Sequence, residues 1–358
     1  MMRLLAILLL VCSAGAVTAQ GTTRVDPDRE VSVELRIGVR GSARPFSYYT
    51  SVLSPNISTK SGPLRAKGYD GYMVYICDEV LKQMLIDDGR SPPLHANQIK
   101  TVNIDTTMAA RRALAQKETT DTVVLDRFDL LGEEVDILCD PASITRDRVR
   151  QFAVSPPLFM TGVGYLSLRH SVPPSSDTLC RPDKALMGFV GTTNALTGGV
   201  QSILDAGEWK KYRDQIITAL RNPTAARENC PRPDASNKPH GILWSANTHD
   251  EVAEKFCDGA IDFYVGDIEI IATHARENTG CQWSSGARSF TNDRYAIFAD
   301  IDYSQQEKAL LIGRFFEVLN REIATSDSLL DRAYIATFGA APRSQKLDLF
   351  FWSMRGEP

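Results

Sequence analysis

The sequence predicts an α/β protein of two domains, on two observations. Short apolar runs of strand length recur between segments of helical period, which is the pattern of open, mostly parallel α/β sheets. The chain has 358 residues, more than one ordinary hydrophobic core organises, so division into two domains of usual size is expected.

Val33, Leu35, Ile37 and Val39 alternate with polar neighbours and mark a first strand, which Gly41 and Pro45 end. A helix follows, with Met73, Ile76 or Cys77, Val80 and Met84 on one face at three-to-four-residue spacing. Further strands are predicted at Val135 to Cys139, Val163 to Leu168, Met187 to Val190, Ile261 to Val265 and Tyr295 to Ala299. Between them Val200 to Leu220 reads as a helix through Trp209, Tyr212 and Ile216, and Gln305 to Ile323 as another through Leu310, Leu311, Phe315, Val318 and Leu319. Such aromatic stripes are core-facing. Ser51 to Lys67, Asn222 to Lys238 and Gln116 to Glu134 read as surface insertions, the first two rich in turn residues.

The start of the chain reads as an export signal. Arg3 supplies positive charge, Leu4 to Cys12 is an unbroken apolar run, and Val17-Thr18-Ala19 offers the small residues of a cleavage site, so residues 1–19 are expected to be removed. The run is too short to span a bilayer, which takes about 20 apolar residues. After cleavage six cysteines would remain: Cys77, Cys139, Cys180, Cys230, Cys257 and Cys281. An even number in an exported protein suggests disulfides; the pairing read here is Cys77 with Cys139, Cys180 with Cys230 and Cys257 with Cys281, against a plainer alternative of buried free thiols.

A net charge of −4 with no basic face argues against nucleic acid as a partner. His95, His170, His240, His249 and His274 are scattered without paired spacing, so no metal site is expected. No nucleophile elbow, phosphate-cradling lysine loop or dinucleotide glycine pattern is present, so neither a cofactor nor covalent catalysis is expected and binding leads among function classes.

Four segments, in order, carry a resemblance: RIGVRGSARPFSYY (Arg36 to Tyr49), DILCDPASITRDR (Asp136 to Arg148), GFVGTT (Gly188 to Thr193) and GAIDFYVGD (Gly259 to Asp267). Together they resemble the periplasmic amino-acid-binding proteins of ABC transporters, solute-binding family 3, and within them the glutamate/aspartate-binding branch. The resemblance implies the two-lobed type II periplasmic-binding-protein fold: two open α/β sheets joined by two hinge strands, with a ligand cleft between. Residues 31–160 with 289–350 would form lobe one and 165–288 lobe two. It implies a periplasmic protein that hands a small carboxylate, an acidic amino acid, to an inner-membrane permease.

Most relatives carry an acidic residue at the position of Arg40, so arginine there shifts the expected ligand toward an acidic one. The chemistry of the residues agrees: the planar guanidinium fork of Arg148, beside Ser143, suits an α-carboxylate, with Thr192 and Thr193 donating from the other lobe at a helix start. Asp267, at a strand end, would meet the ligand ammonium. Arg40, Ser42 and Arg111 would take the side-chain carboxylate, with His249 donating from lobe two. Ala43 and Arg44 depart from the branch, and the added charge of Arg44 points to a more acidic ligand, a di- or tricarboxylate without an amine. Two rivals stay open: a cyclohexadienyl-type dehydratase, with Asp267 as its evident acid, and a ligand-sensing protein that docks on a receptor.

Overall fold

The computed structural model describes residues 33–50, 62–86, 93–118, 126–168, 184–191, 200, 239, 241–286, 289–325, 328–339 and 343–355. In chain order the elements are β1 (Leu35–Val39), β2 (Ser42–Ala43), β3 (Ser47–Tyr49), β4 (Tyr69–Asp70), α1 (Tyr72–Leu85), β5 (Ile99–Asn103), α2 (Ile104–Glu118), β6 (Ile137–Ser143), α3 (Arg146–Gln151), β7 (Ala153–Val154) and β8 (Phe159–Thr161). There follow β9 (Val163–Leu168), β10 (Ala185–Val190), β11 (Gly241–Ala246), α4 (His249–Cys257), β12 (Ile261–Asp267), α5 (Ile268–Glu277) and β13 (Trp283–Ser285). β14 (Asp293–Ala299), α6 (Gln306–Ala324), α7 (Leu329–Phe338) and α8 (Gln345–Met354) complete the chain.

Two main sheets result. The first runs β5-β1-β6-β14-β7, with β8 also on β14; β1 is parallel to both β5 and β6, and β14 returns antiparallel. The second runs β11-β10-β12-β9-β13, with β10 parallel to its two neighbours and β9 antiparallel to β12. The chain passes between them at 161–163 and again between β13 and β14. A small sheet, β2-β3-β4, sits beside the first.

Each layer follows from its residues. β6 is buried along its whole length because it lies between β1 and β14 with apolar clusters on both faces, the usual state of a central strand. The face of α1 carrying Met73, Ile76, Val80 and Met84 is buried against α6 and α7. Its first free N–H groups find partners in the preceding loop, Tyr72 donating to the Pro45 carbonyl at 3.0 Å and Met73 to that of Phe46 at 2.8 Å. Gly71 permits this approach: at φ 117° a Cβ would lie 2.6 Å from the Phe46 carbonyl. Phe46 itself is fully buried, 4.8 Å from the Phe159 ring and 5.1 Å from that of Tyr295. In the second sheet's cluster α4 buries His249, Val252, Ala253 and Phe256 on one stripe.

Disulfides join Cys77 to Cys139 and Cys257 to Cys281. Cys180 and Cys230, the export signal, all but Val200 of the helix read at Val200 to Leu220 and most of the insertions fall outside the described residues. Among the described residues no helix is long and apolar enough to cross a membrane.

Candidate functional site

Parallel strands bring their carboxyl ends to one edge, and in open α/β sheets that edge is where ligands bind. Arg40 follows β1, Asp105 opens α2 directly after β5, and Asp140 to Ser143 end β6. A cavity of about 330 Å³ lies there, lined by Arg40, Asp105, Arg112 and Arg127 from the first sheet's side and Asn247 and Thr248 from the second's, with Ile104 and Met108 as an apolar wall.

Arg40 is only 6% exposed. Its Nε donates to Asp105 Oδ1 at 3.1 Å, and its Nη2 reaches Ser42 Oγ at 3.4 Å. Asp105 also accepts the Gly41 N–H at 2.8 Å and the Ser42 hydroxyl at 2.9 Å. Burial disfavours both charges, yet the pair wins: Arg40 is held above its usual range chiefly by Asp105 and Asp140, and Asp105 below its own by Arg40, Ser42 and Gly41.

Arg127 is a site residue the sequence reading missed. It lies in a short 3-10 turn, Arg127–Leu130, within a stretch read as an insertion. Its Nε is 2.6 Å from Oδ2 of the fully buried Asp140, a close ion pair out of hydrogen-bond alignment, and its Nη2 donates to the Pro141 carbonyl at 3.2 Å. Pro141 has no N–H to give to the ladder, and the register between β6 and β14 shifts at this point: Leu138 faces Phe298 while Ala142 faces Ala296. Cys139, Asp140 and Pro141 on β6 stand against Ile297 alone on β14, two residues in excess, so the bulge sets Asp140 beside Arg127.

Arg148 stacks 4.0 Å from the centre of the Phe128 ring, donates to the Ser143 carbonyl at 2.9 Å and faces Asp126 at 3.5 Å. Burial, then Arg127, pushes it down to about 10. Its α3 begins at Thr145, whose hydroxyl caps the Arg148 N–H at 3.4 Å. Arg148 and Ser143 therefore stand next to the cavity lining without belonging to it.

Neighbouring arginines on α2 part company. Arg111 turns to Glu134 at 2.7 Å and Glu133 at 2.6 Å, away from the cavity, whereas Arg112 faces it and donates to Asn247 Oδ1 at 3.0 Å. That bond crosses between the sheets' two halves. Arg44 makes a second crossing, 2.8 Å to Glu277 at the end of α5, while lying 4.6 Å over the Tyr48 ring.

His249 is buried in the core behind Thr248, its Nδ1 2.9 Å from the Tyr264 hydroxyl and its ring stacked 5.4 Å from that of His274. Burial, then His274, holds it well below the usual histidine range, so it is neutral. His274 Nδ1 lies 2.8 Å from Asp250, and with Glu277 these groups bring ligand-type atoms within 4.8 Å of one another. Two of the scattered histidines, His249 and His274, thus meet in space, but Glu277 is turned to Arg44.

Asp267 ends β12 and opens α5. The Tyr295 hydroxyl donates to its Oδ2, and Asp267 is absent from the cavity lining. Burial pushes Asp267 up to about 7, Tyr295 opposing and Asp293 and Glu269 adding to the rise. A carboxyl raised in the fold contributes stability that is complete below the unfolded value near 3.9 and is lost as pH rises through about 7. Asp267→Asn, which keeps an acceptor for Tyr295, is therefore expected to gain stability over the parent, by about 2 to 3 kcal/mol more at pH 8 than at pH 5. Urea unfolding at the two pH values checks this; a difference independent of pH would refute the buried-acid account. Thr192 and Thr193 lie outside the described residues.

No family profile and no curated protein matches this chain. Solved structures do match. The arginine-, lysine-, histidine-binding protein ArtJ from the thermophilic bacterium Geobacillus stearothermophilus is 16% identical, over 88% of this chain and 99% of that one, with a TM-score of 0.50. The cysteine-binding protein from Campylobacter jejuni is also 16% identical, over 86% of this chain and 90% of that one, with a TM-score of 0.50. The fold is the two-lobed type II periplasmic-binding-protein fold. The cavity then lies between the lobes, and the Arg112–Asn247 and Arg44–Glu277 contacts join one lobe to the other.

Proposed function

We propose that this protein is a periplasmic solute-binding protein that closes on a small carboxylate and delivers it to an ABC permease in the inner membrane. The observation that carries the reading is the gathering of Arg40, Arg112 and Arg127 around one inter-lobe cavity that holds a single acidic lining residue among those described, Asp105. The names of the structural neighbours, binders of arginine, lysine, histidine or cysteine, support an amino-acid-sized solute. The moving bodies are residues 31–160 with 289–350 and residues 165–288, with a ligand that touches both favouring closure. Export rests on the composition of residues 1–19. Arg40, Ser42, Arg112 and Arg127 form the anion side, with Ser143 and Arg148 behind it; Thr192 and Thr193 are the sequence's candidates for the facing donors.

Arg112 is the sharpest test, because its described partner is a neutral amide and its loss strands no buried charge. Arg112→Ala is expected to weaken carboxylate binding by about 10- to 100-fold, the worth of a charge-assisted hydrogen bond, with little change in stability. Calorimetric titration of parent and variant with a panel of carboxylates, with L-lysine and L-arginine as controls, decides. Tight binding of the basic amino acids and none of any carboxylate would overturn the reading. The dehydratase alternative needs an acid over the ligand; Asp267 keeps its proton to about pH 7 but is bonded to Tyr295. Turnover of prephenate would restore that alternative.

A further inference from the structure

We propose, resting on the carboxylate reading above, that the captured ligand carries no ammonium group: it is a simple mono- or dicarboxylate, not an amino acid. An ammonium drawn into a closed cleft needs carboxylate or carbonyl acceptors, since a desolvated charge without a partner is strongly disfavoured. Among the described residues each carboxylate around the cavity already faces a cation or a hydroxyl donor. Asp105 takes the Arg40 Nε, the Gly41 N–H and the Ser42 hydroxyl. Asp140 lies against Arg127 at 2.6 Å. The carbonyls that end β6 are taken in the same way, Pro141 by Arg127 at 3.2 Å and Ser143 by Arg148 at 2.9 Å.

On lobe two, Asp267, the acid best placed at a strand end, receives the Tyr295 hydroxyl, with Glu269 and Asp293 adding to the negative charge around it. Asp250 is bonded to His274 and Glu277 to Arg44. The cations are arranged otherwise. Among the described residues Arg112 faces the neutral Asn247 across the cleft and no carboxylate, so a ligand carboxylate can replace that amide and gain a charge-assisted pair without breaking an ion pair. Among the described residues the cavity offers charge to an anion and no carboxylate that lacks a cation or donor partner.

The experiment is calorimetric titration of the full-length, ligand-stripped protein with three matched pairs that differ by one amino group: succinate with L-aspartate, glutarate with L-glutamate, propanoate with L-alanine. The expected result is that the member lacking the amine binds at least about tenfold more tightly in every pair that binds at all. Equal or tighter binding of the amino acid in any pair overturns this inference and leaves carboxylate capture standing. No binding by any of the six compounds overturns both.

Discussion

Arg127→Met is expected to lower the free energy of unfolding by about 3–5 kcal/mol, the usual consequence of removing one partner from a buried ion pair. Asp140 is fully buried, and its nearest cation is Arg127, with Arg40 farther off. Burial already pushes Asp140 above the ordinary carboxylate range, and without Arg127 it would bind a proton more readily still. Loss of stability should therefore be larger at pH 8 than at pH 5, where the lone carboxyl is more readily neutral. The double variant Arg127→Met with Asp140→Leu should recover most of the stability, because replacing both members leaves no stranded charge. Carboxylate binding should not recover, since Arg127 also lines the cavity. Urea unfolding and calorimetric titration of the three proteins separate the two roles; a cost below about 1 kcal/mol for the single variant would mean that water reaches Asp140.

Much of the fold was legible because period and burial coincide. β1 alternates apolar and polar residues, α1 and α6 bury one stripe each, and the strands read at Val163 to Leu168 and Ile261 to Val265 are found there, the second extended to Asp267. β6 begins two residues later than read and runs on to Ser143, since Asp140 and Pro141 look like a strand's end in sequence and become a bulge inside the sheet. β5 and α2 escaped notice for a physical reason. β5 is an edge strand with its outer positions half-buried, and α2 turns a mixed face to the cavity, Ile104 and Met108 beside Asp105 and Arg112, and so shows a weak apolar stripe.

The site was legible at its strand ends and obscure on its helices. Arg40 could be placed because it directly follows an evident strand. Arg111 and Arg112 cannot be told apart by spacing alone: consecutive helical residues point about 100° apart, and only the packing of α2 turns Arg112 inward. Asp267 shows the opposite difficulty. Its strand-end position was visible, but its bond to Tyr295, on a strand of the other lobe, depends on how the chain crosses back at β14. His249 and His274 sit on separate helices that pack together, so no sequence spacing announces their stacking. Arg44, expected to make the ligand more acidic, instead spends its charge on Glu277.

Removing the Cys77–Cys139 disulfide as the Cys77→Ala/Cys139→Ala pair is expected to cost about 4 kcal/mol, and removing Cys257–Cys281 in the same way about 3 kcal/mol. The ranking follows from chain entropy: the first bridge closes a loop of sequence separation 62, the second one of 24, and the longer loop frees more of the unfolded chain when it is opened. The first bridge also ties α1 to the central strand β6, and both its cysteines are fully buried, so the alanines leave space in the core of lobe one. Cys257 and Cys281 are only half-buried, so little packing is lost with them. Urea unfolding of the two variants at one pH tests the order. If the shorter loop proves the costlier to open, loop closure is not what these bridges contribute, and the constraint they place on the folded lobe two, beneath α4 and α5, must be the larger effect.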